Sequence, residues 1–245
     1  MPDIRASLEG VRERIARAAE RGGRRAEQVL LIGVSKTVEP ARIREAIAAG
    51  VPALGENRVQ EARAKIAELG RPVPWHLIGQ LQTNKAKEAI ELFDLIHSVD
   101  RAELGRELHK RARQRGRPVE ALVQVNVAGE GQKGGVAPDG LGALLDAVAG
   151  LGHVRVRGLM AIPPEAPDAE GARPWFRALR KLGERHGLAE LSMGMSGDFE
   201  VAIEEGATAA SSRSGRAPSR PSAATAAWAA PRTVPRQPTC AAASA

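Results

Sequence analysis

Lys36 closes the run Val29-Leu30-Leu31-Ile32-Gly33-Val34-Ser35-Lys36-Thr37. A run that is apolar on both faces reads as a fully buried strand. Side chains repeat every two residues along a strand, so Lys36 is in phase with Leu30, Ile32 and Val34. A lysine at the mouth of such a strand is either an ordinary solvated strand end or an amine placed to form an imine with a carbonyl compound. Ser196-Gly197 supplies what could be the other half of a site. The pair stands just ahead of a short helix predicted from Asp198 to Glu205. There, free backbone N–H groups and the helix dipole favour an anion, although a serine at this place is also an ordinary helix cap. Taken together, the two features suit a small aldehyde that carries a phosphate: the amine takes the carbonyl and the helix start takes the anion.

The remaining chemistry-bearing residues are fewer and less specific. Glu56-Asn57 follows a second predicted strand, Gly79-Gln80 a third, and Asn126 and Met160 end the fifth and sixth. His76 and His97 lie within strands and read as hydrogen-bonded core histidines, while His109 and His186 fall on helices and are expected at the surface. No two histidines have metal-ligand spacing. The single cysteine, Cys240, excludes a disulfide framework and a cysteine-based metal centre within one chain. Gln132-Lys133-Gly134-Gly135 lacks the spacing of a phosphate-binding P-loop and reads as a flexible loop.

The elements that must position these residues alternate with regularity. An amphipathic helix over 3–21 carries Ile4, Leu8, Val11 and Ile15 on one face and ends at Gly22-Gly23. Strands are then predicted at 29–36, 53–55, 75–79, 95–99, 119–127, 154–160 and 191–194. Helices are predicted near 41–47, 59–69, 84–92, 101–115, 138–149, 169–186 and 198–205, with Asp100 and Glu103 placed to form a capping box. Seven strand–helix units in succession imply a parallel sheet covered by helices. With no Gly-x-Gly-x-x-Gly after the first strand, a (β/α)₈ barrel is favoured over a doubly wound open sheet. In a barrel of this kind the C-terminal ends of the strands form the active face, where Lys36, Asn57 and Ser196 all fall.

The eighth strand should begin after Gly206, and the sequence offers none. From Ala207 the chain is rich in Ala, Ser, Arg and Pro, with no Leu, Ile or Phe and with Val234 as its only valine. Such a composition buries too little apolar surface to offset the entropy of ordering. The expected organisation is therefore a barrel over residues 1–206, lacking its eighth strand, and a low-complexity tail over 207–245. The abrupt break is what a shifted reading frame in a GC-rich gene would produce.

Five of the 36 basic residues and none of the 29 acidic ones lie beyond Gly206, so most of the net charge of +7 belongs to the tail. That distribution argues against a nucleic-acid-binding face. No run approaches the roughly 20 apolar residues of a membrane span, and the N-terminus shows no leader. The expectation is a soluble cytoplasmic protein without a membrane partner.

Five motifs, in order and at fitting intervals, resemble one family. They are Val34-Ser35-Lys36-Thr37, Gly55-Glu56-Asn57-Arg58-Val59-Gln60-Glu61, Trp75-His76-Leu77-Ile78-Gly79-Gln80-Leu81-Gln82-Thr83-Asn84-Lys85, His97-Ser98-Val99-Asp100 and Leu191-Ser192-Met193-Gly194-Met195-Ser196-Gly197-Asp198. Over residues 3–206 the chain is similar to the pyridoxal-phosphate homeostasis proteins, whose fold is like the N-terminal domain of alanine racemase. The resemblance implies that Lys36 carries pyridoxal 5′-phosphate as an internal aldimine, that Asn57 lies beside it, and that Ser196 and Gly197 hold part of its phosphate. It implies a monomer or weak dimer that buffers this form of vitamin B6 or delivers it to apoenzymes, without catalysing a reaction. The family's eighth strand ends in an Arg-x-Gly-Thr/Ser-like segment that completes the phosphate site. The nearest text here, Arg213-Ser214-Gly215-Arg216, is displaced and has no apolar strand before it.

Two enzyme readings compete. An amino-acid racemase of this type uses a tyrosine from a second domain as a further base, and this chain contains no tyrosine. A Schiff-base aldolase would need an acid near Lys36, for which Glu56 is the obvious carboxylate. A further alternative is a truncated product with impaired cofactor binding.

Overall fold

A computed structural model describes residues 3–212. After the N-terminal helix α1 (Ile4–Arg21), strands and helices alternate through β1 (Leu30–Val34), α2 (Pro40–Ala48), β2 (Ala53–Glu56), α3 (Val59–Leu69), β3 (Trp75–Leu77), α4 (Ala86–Leu92), β4 (Leu95–Val99) and α5 (Ala102–Arg115). The second half continues with β5 (Val119–Gln124), α6 (Leu141–Ala149), β6 (Val154–Met160), α7 (Arg173–Arg185), β7 (Glu190–Ser192), α8 (Phe199–Glu204) and β8 (Ala209–Ser212). All eight strands are parallel and close in sequence order into one barrel.

The expectation of a missing eighth strand is thus corrected: residues 207–212 belong to the barrel. β8 pairs with β1 at four positions, Leu30↔Ala209, Leu31↔Ala210, Ile32↔Ser211 and Gly33↔Ser212, but with β7 only at Ser192↔Ala209. The main chain accounts for the closure. Leu30 N donates to Thr208 O, Met193 N to Ala209 O, Thr208 N to Leu191 O and Ser211 N to Gly194 O, at 2.8–3.1 Å. Strand edges left unpaired would carry a row of unsatisfied backbone groups, and any extended segment that lacks proline can satisfy them. The composition of Ala-Ala-Ser-Ser hid this strand from a search for apolar runs. The rest of the expected tail, residues 213–245 with Arg213-Ser214-Gly215-Arg216, lies outside the described residues.

Strand periodicity divides the core into two layers. Leu31, Leu54, Trp75, Leu77, Ile96, Ala121, Val123, Leu159 and Leu191 join the apolar layer between sheet and helices. Ile32, His76, His97, Leu122, Met160 and Ser192 are buried in the opposite phase, inside the barrel. The layer outside is almost wholly aliphatic, whereas the layer inside holds a polar file. His97 Nε2 lies 3.1 Å from His76 Nδ1 on the neighbouring strand, and His97 Nδ1 lies 2.9 Å from Ser192 Oγ on β7. β4 and β7 are not neighbours, so the second contact runs through the barrel interior.

Smaller differences from the sequence reading lie at element ends. The capping box at Asp100 and Glu103 does not form: Arg101 is the N-cap of α5, and Asp100 instead binds the Arg101 guanidinium and the Gln80 amide. His109 and His186 are half-buried rather than exposed, with His109 packed edge-on against His153. The loop over 129–135 is tied down, because Gln124 Nε2 donates to Gly134 O and Asn126 Nδ2 to Glu130 O.

Candidate functional site

Lys36 lies two residues past the end of β1, in a turn rather than in the strand itself. Past the strand the main chain is held at both Ser35 and Thr37. Ser35 N donates to Gly55 O, and Ser35 Oγ donates to Glu56 Oε1 at 2.7 Å. Thr37 N donates to Glu61 Oε1 at 2.6 Å. Thr37 has φ +60°, the sole positive φ at a non-glycine residue among those described. A β-branched residue rarely adopts this left-handed conformation, so the turn carrying Lys36 is strained.

Asn57 stands in the matching place on the adjacent strand. Val34 and Gly55 are paired in register, and Lys36 and Asn57 each lie two residues beyond that pair. The Asn57 Oδ1 atom is buried and has no hydrogen-bond partner. Gly79, just after β3, packs against the Asn57 main chain so closely that a Cβ there would sit 2.3 Å from Asn57 O. The backbone approach that holds Asn57 in place requires glycine at that position.

Ser196 and Gly197 form the turn between β7 and α8. α8 is only six residues long and its N-cap is Asp198, whose carboxylate folds back to accept from Met195 N at 2.6 Å. Burial raises the Asp198 pKa, and the hydrogen bond from Met195 N draws it part of the way back. Nothing lies within 4 Å of the position a Cβ would take on Gly197, so the main chain there is open to an approaching group. The strand order β7-β8-β1-β2 brings the Ser196 turn, Lys36 and Asn57 onto one arc of the C-terminal rim, with a single strand between the first two.

Two lysines serve this arc, and they differ in kind. Lys65, on α3, is buried, and its Nζ donates to Ser35 O at 2.6 Å, Glu56 Oε1 at 2.8 Å and Glu61 Oε1 at 2.6 Å. Those three bonds use all three donors of an ammonium group. Lys36 is half-buried and, among the described residues, its amine is engaged in no hydrogen bond or ion pair. It is the lysine that remains available to a ligand. Glu56 is fully buried, with Oε1 committed to Ser35 and Lys65 and Oε2 left without a hydrogen-bond partner. Sequence reasoning missed Lys65 altogether. The Glu61–Lys65 spacing of four residues on one helix was the available signal, but its partners Ser35 and Glu56 come from two other elements.

Inside the barrel the two histidines are neutral. Burial lowers the His76 pKa to about 4 despite the nearby Asp94 carboxylate. Burial, and then the proximity of His76, holds His97 well below the ordinary histidine value. Both are buried and hydrogen-bonded within the barrel.

The class of this closed parallel barrel is that of the alanine racemase N-terminal domain, whose family model matches residues 7–217. A pyridoxal phosphate homeostasis protein of Aquifex aeolicus is 48% identical over 208 residues, covering 82% of this chain and 91% of that one. One from Pseudomonas aeruginosa is 44% identical over 211 residues, covering 85% and 92%. The solved structure of PipY from Synechococcus elongatus with pyridoxal phosphate bound superposes with a TM-score of 0.74 at 38% identity, over 86% of this chain and 97% of that one. The chain belongs to the pyridoxal phosphate homeostasis protein family.

Proposed function

We propose that this chain binds pyridoxal 5′-phosphate on Lys36, holds it without catalytic turnover, and serves cofactor homeostasis in the cytoplasm as a monomer or weak dimer that supplies apoenzymes. The cofactor offers an aldehyde that condenses with a lysine amine and a phosphate that needs anion-binding groups. The carrying observation is the pairing of an unengaged amine at Lys36 with a buried, unpartnered acceptor at Asn57 Oδ1 in the matching register position. A buried acceptor without a donor is costly, and a ligand donor removes that cost. The open main chain at Gly197 beside Ser196 fits the anion. Family membership and the cofactor-bound relative support the same ligand.

The absence of tyrosine favours holding over turnover, because a racemase of this class requires a tyrosine base. Among the described residues no helix is long and apolar enough to cross a membrane. The test is a visible spectrum of purified protein with pyridoxal phosphate, followed by borohydride reduction and peptide mapping. Label on Lys36, its loss in Lys36→Ala, and no alanine racemisation above background are expected. Label confined to other lysines, or turnover, overturns the reading.

A further inference from the structure

The ion cluster beneath Lys36 has a geometry that cofactor binding alone does not explain. Burying the Lys65 ammonium and the Glu56 carboxylate is costly unless they are paired and hydrogen-bonded, and a barrel could fill the same space with aliphatic side chains. Here the cluster grips main-chain atoms on both sides of one residue. Lys65 Nζ holds the carbonyl of Ser35, and Glu61 Oε1 holds the amide of Thr37. Glu56 Oε1 takes both the Ser35 hydroxyl and the Lys65 ammonium, which ties the two grips together. Between the gripped residues lies Lys36, and the grip coincides with the positive φ of Thr37. Glu61 and Lys65 sit four apart on α3, so one helix face carries both. Burial raises the Glu61 pKa, but the hydrogen bonds from Lys65 and Thr37 N and the charges of Lys65 and Arg58 outweigh it, leaving Glu61 ionised and a strong acceptor.

We propose that Glu61, Lys65 and Glu56 form a positioning clamp that fixes the Lys36 turn in its strained form by holding the main chain of Ser35 and Thr37, so that the Lys36 amine is presented in one orientation at the rim. This deepens the reading of Lys36 as the cofactor-holding residue and rests on it for its purpose. The geometry of the clamp itself does not depend on that reading. An unclamped turn would relax at Thr37 and let the amine wander, and a misplacement of about 1 Å is enough to cost up to 100-fold in a reaction at a held group.

Glu61 is the variant of choice because it is partly exposed, so its removal spares the barrel, whereas Lys65→Met would strand two carboxylates. Glu61→Ala and Glu61→Gln are compared with the unaltered chain in two measurements made without cofactor. These are amide exchange at Thr37 and the rate at which an acylating reagent labels Lys36 relative to exposed Lys181. In Glu61→Ala, exchange at Thr37 should rise at least about tenfold and the relative labelling of Lys36 should change by about threefold or more. Glu61→Gln, which keeps an oxygen acceptor for Thr37 N, should restore most of both. A third measurement follows the rate of borohydride-trappable label on Lys36 with pyridoxal phosphate, which should fall about tenfold in Glu61→Ala at a temperature where both proteins are fully folded. Unaltered exchange and labelling in Glu61→Ala, or equal defects in Glu61→Ala and Glu61→Gln, overturn the clamp. If the unaltered chain takes no label from pyridoxal phosphate at Lys36, the cofactor reading falls, and the two cofactor-free measurements still decide the clamp.

Discussion

His97 Nδ1 lies 2.9 Å from Ser192 Oγ, joining β4 to β7 through the inside of the barrel. With His76 at the other ring nitrogen of His97, three strands are linked by side chains in a place where β-barrels usually hold aliphatic layers. The two hydrogen bonds couple the proton positions along the file: whichever ring nitrogen of neutral His97 donates, the other accepts, so His76 and Ser192 take opposite roles.

His97→Ala should therefore cost more than the lost packing. It opens a cavity at a fully buried position and strands His76 Nδ1 and Ser192 Oγ in the interior. A loss of roughly 3–5 kcal/mol is expected, read as a lowered urea midpoint at unchanged slope. A midpoint within error of the unaltered chain would show that the file bears no weight in the fold.

The same file makes stability depend on pH. Both histidines have folded-state pKa values below the unfolded value of about 6.5, and that of His76 is about 4. The unfolded chain binds the extra protons, so the stability they contribute is fully present above pH 6.5 and is lost as pH falls toward 4. Each neutral histidine should give a slope of about 1.4 kcal/mol per pH unit within that window. Urea titrations at pH 7.5, 6 and 5 measure it. The paired variant His76→Gln with His97→Gln should flatten the slope, and a slope that persists unchanged would assign it to other groups.

Asn57→Ala separates binding from folding. Asn57 Oδ1 is buried without a partner, so its removal should leave the free protein as stable as before or slightly more so. Cofactor affinity should fall about tenfold, the equivalent of about 1.4 kcal/mol for one lost hydrogen bond. Equilibrium titration and thermal melting on the same sample give both numbers. A fall in melting temperature with unchanged affinity would mean that Asn57 serves the fold rather than the ligand.

Ser211→Pro tests the eighth strand. Ser211 N donates to Gly194 O at the base of the turn that carries Ser196 and Gly197. Proline removes that donor from a strand with neighbours on both sides and should cost about 3 kcal/mol. Amide exchange at Met193 and Leu30, whose N–H groups bond to Ala209 O and Thr208 O, should accelerate together. If exchange at these two residues is already fast in the unaltered chain, β8 does not close the barrel.

What could be read in the residues was what side-chain chemistry writes. Seven strands announced themselves by Leu, Ile and Val, and Lys36 stood out because it ended one of those runs. Asn57 and Ser196 followed from the rim of the implied barrel and from the family motifs. β8 did not announce itself, since its place is set by the open edges of β1 and β7 and not by its own Ala-Ala-Ser-Ser. Lys65 stayed hidden for a related reason. Its meaning lies in contacts to Ser35 and Glu56, 30 and nine residues away along the chain, and no local pattern records such a meeting. The helix cap expected at Asp100 failed because the neighbouring Arg101 guanidinium and the Gln80 amide claimed its carboxylate.

A seam held main chain to main chain needs little side-chain bulk of its own. Three of the four residues of β8, Ala209, Ala210 and Ser212, are themselves buried, so the seam has room only for small side chains between edges that bury Leu31 and Leu191. The last stave of this barrel is thus its thinnest: backbone hydrogen bonds, with almost no side-chain bulk, hold shut the arc of the rim that carries Lys36.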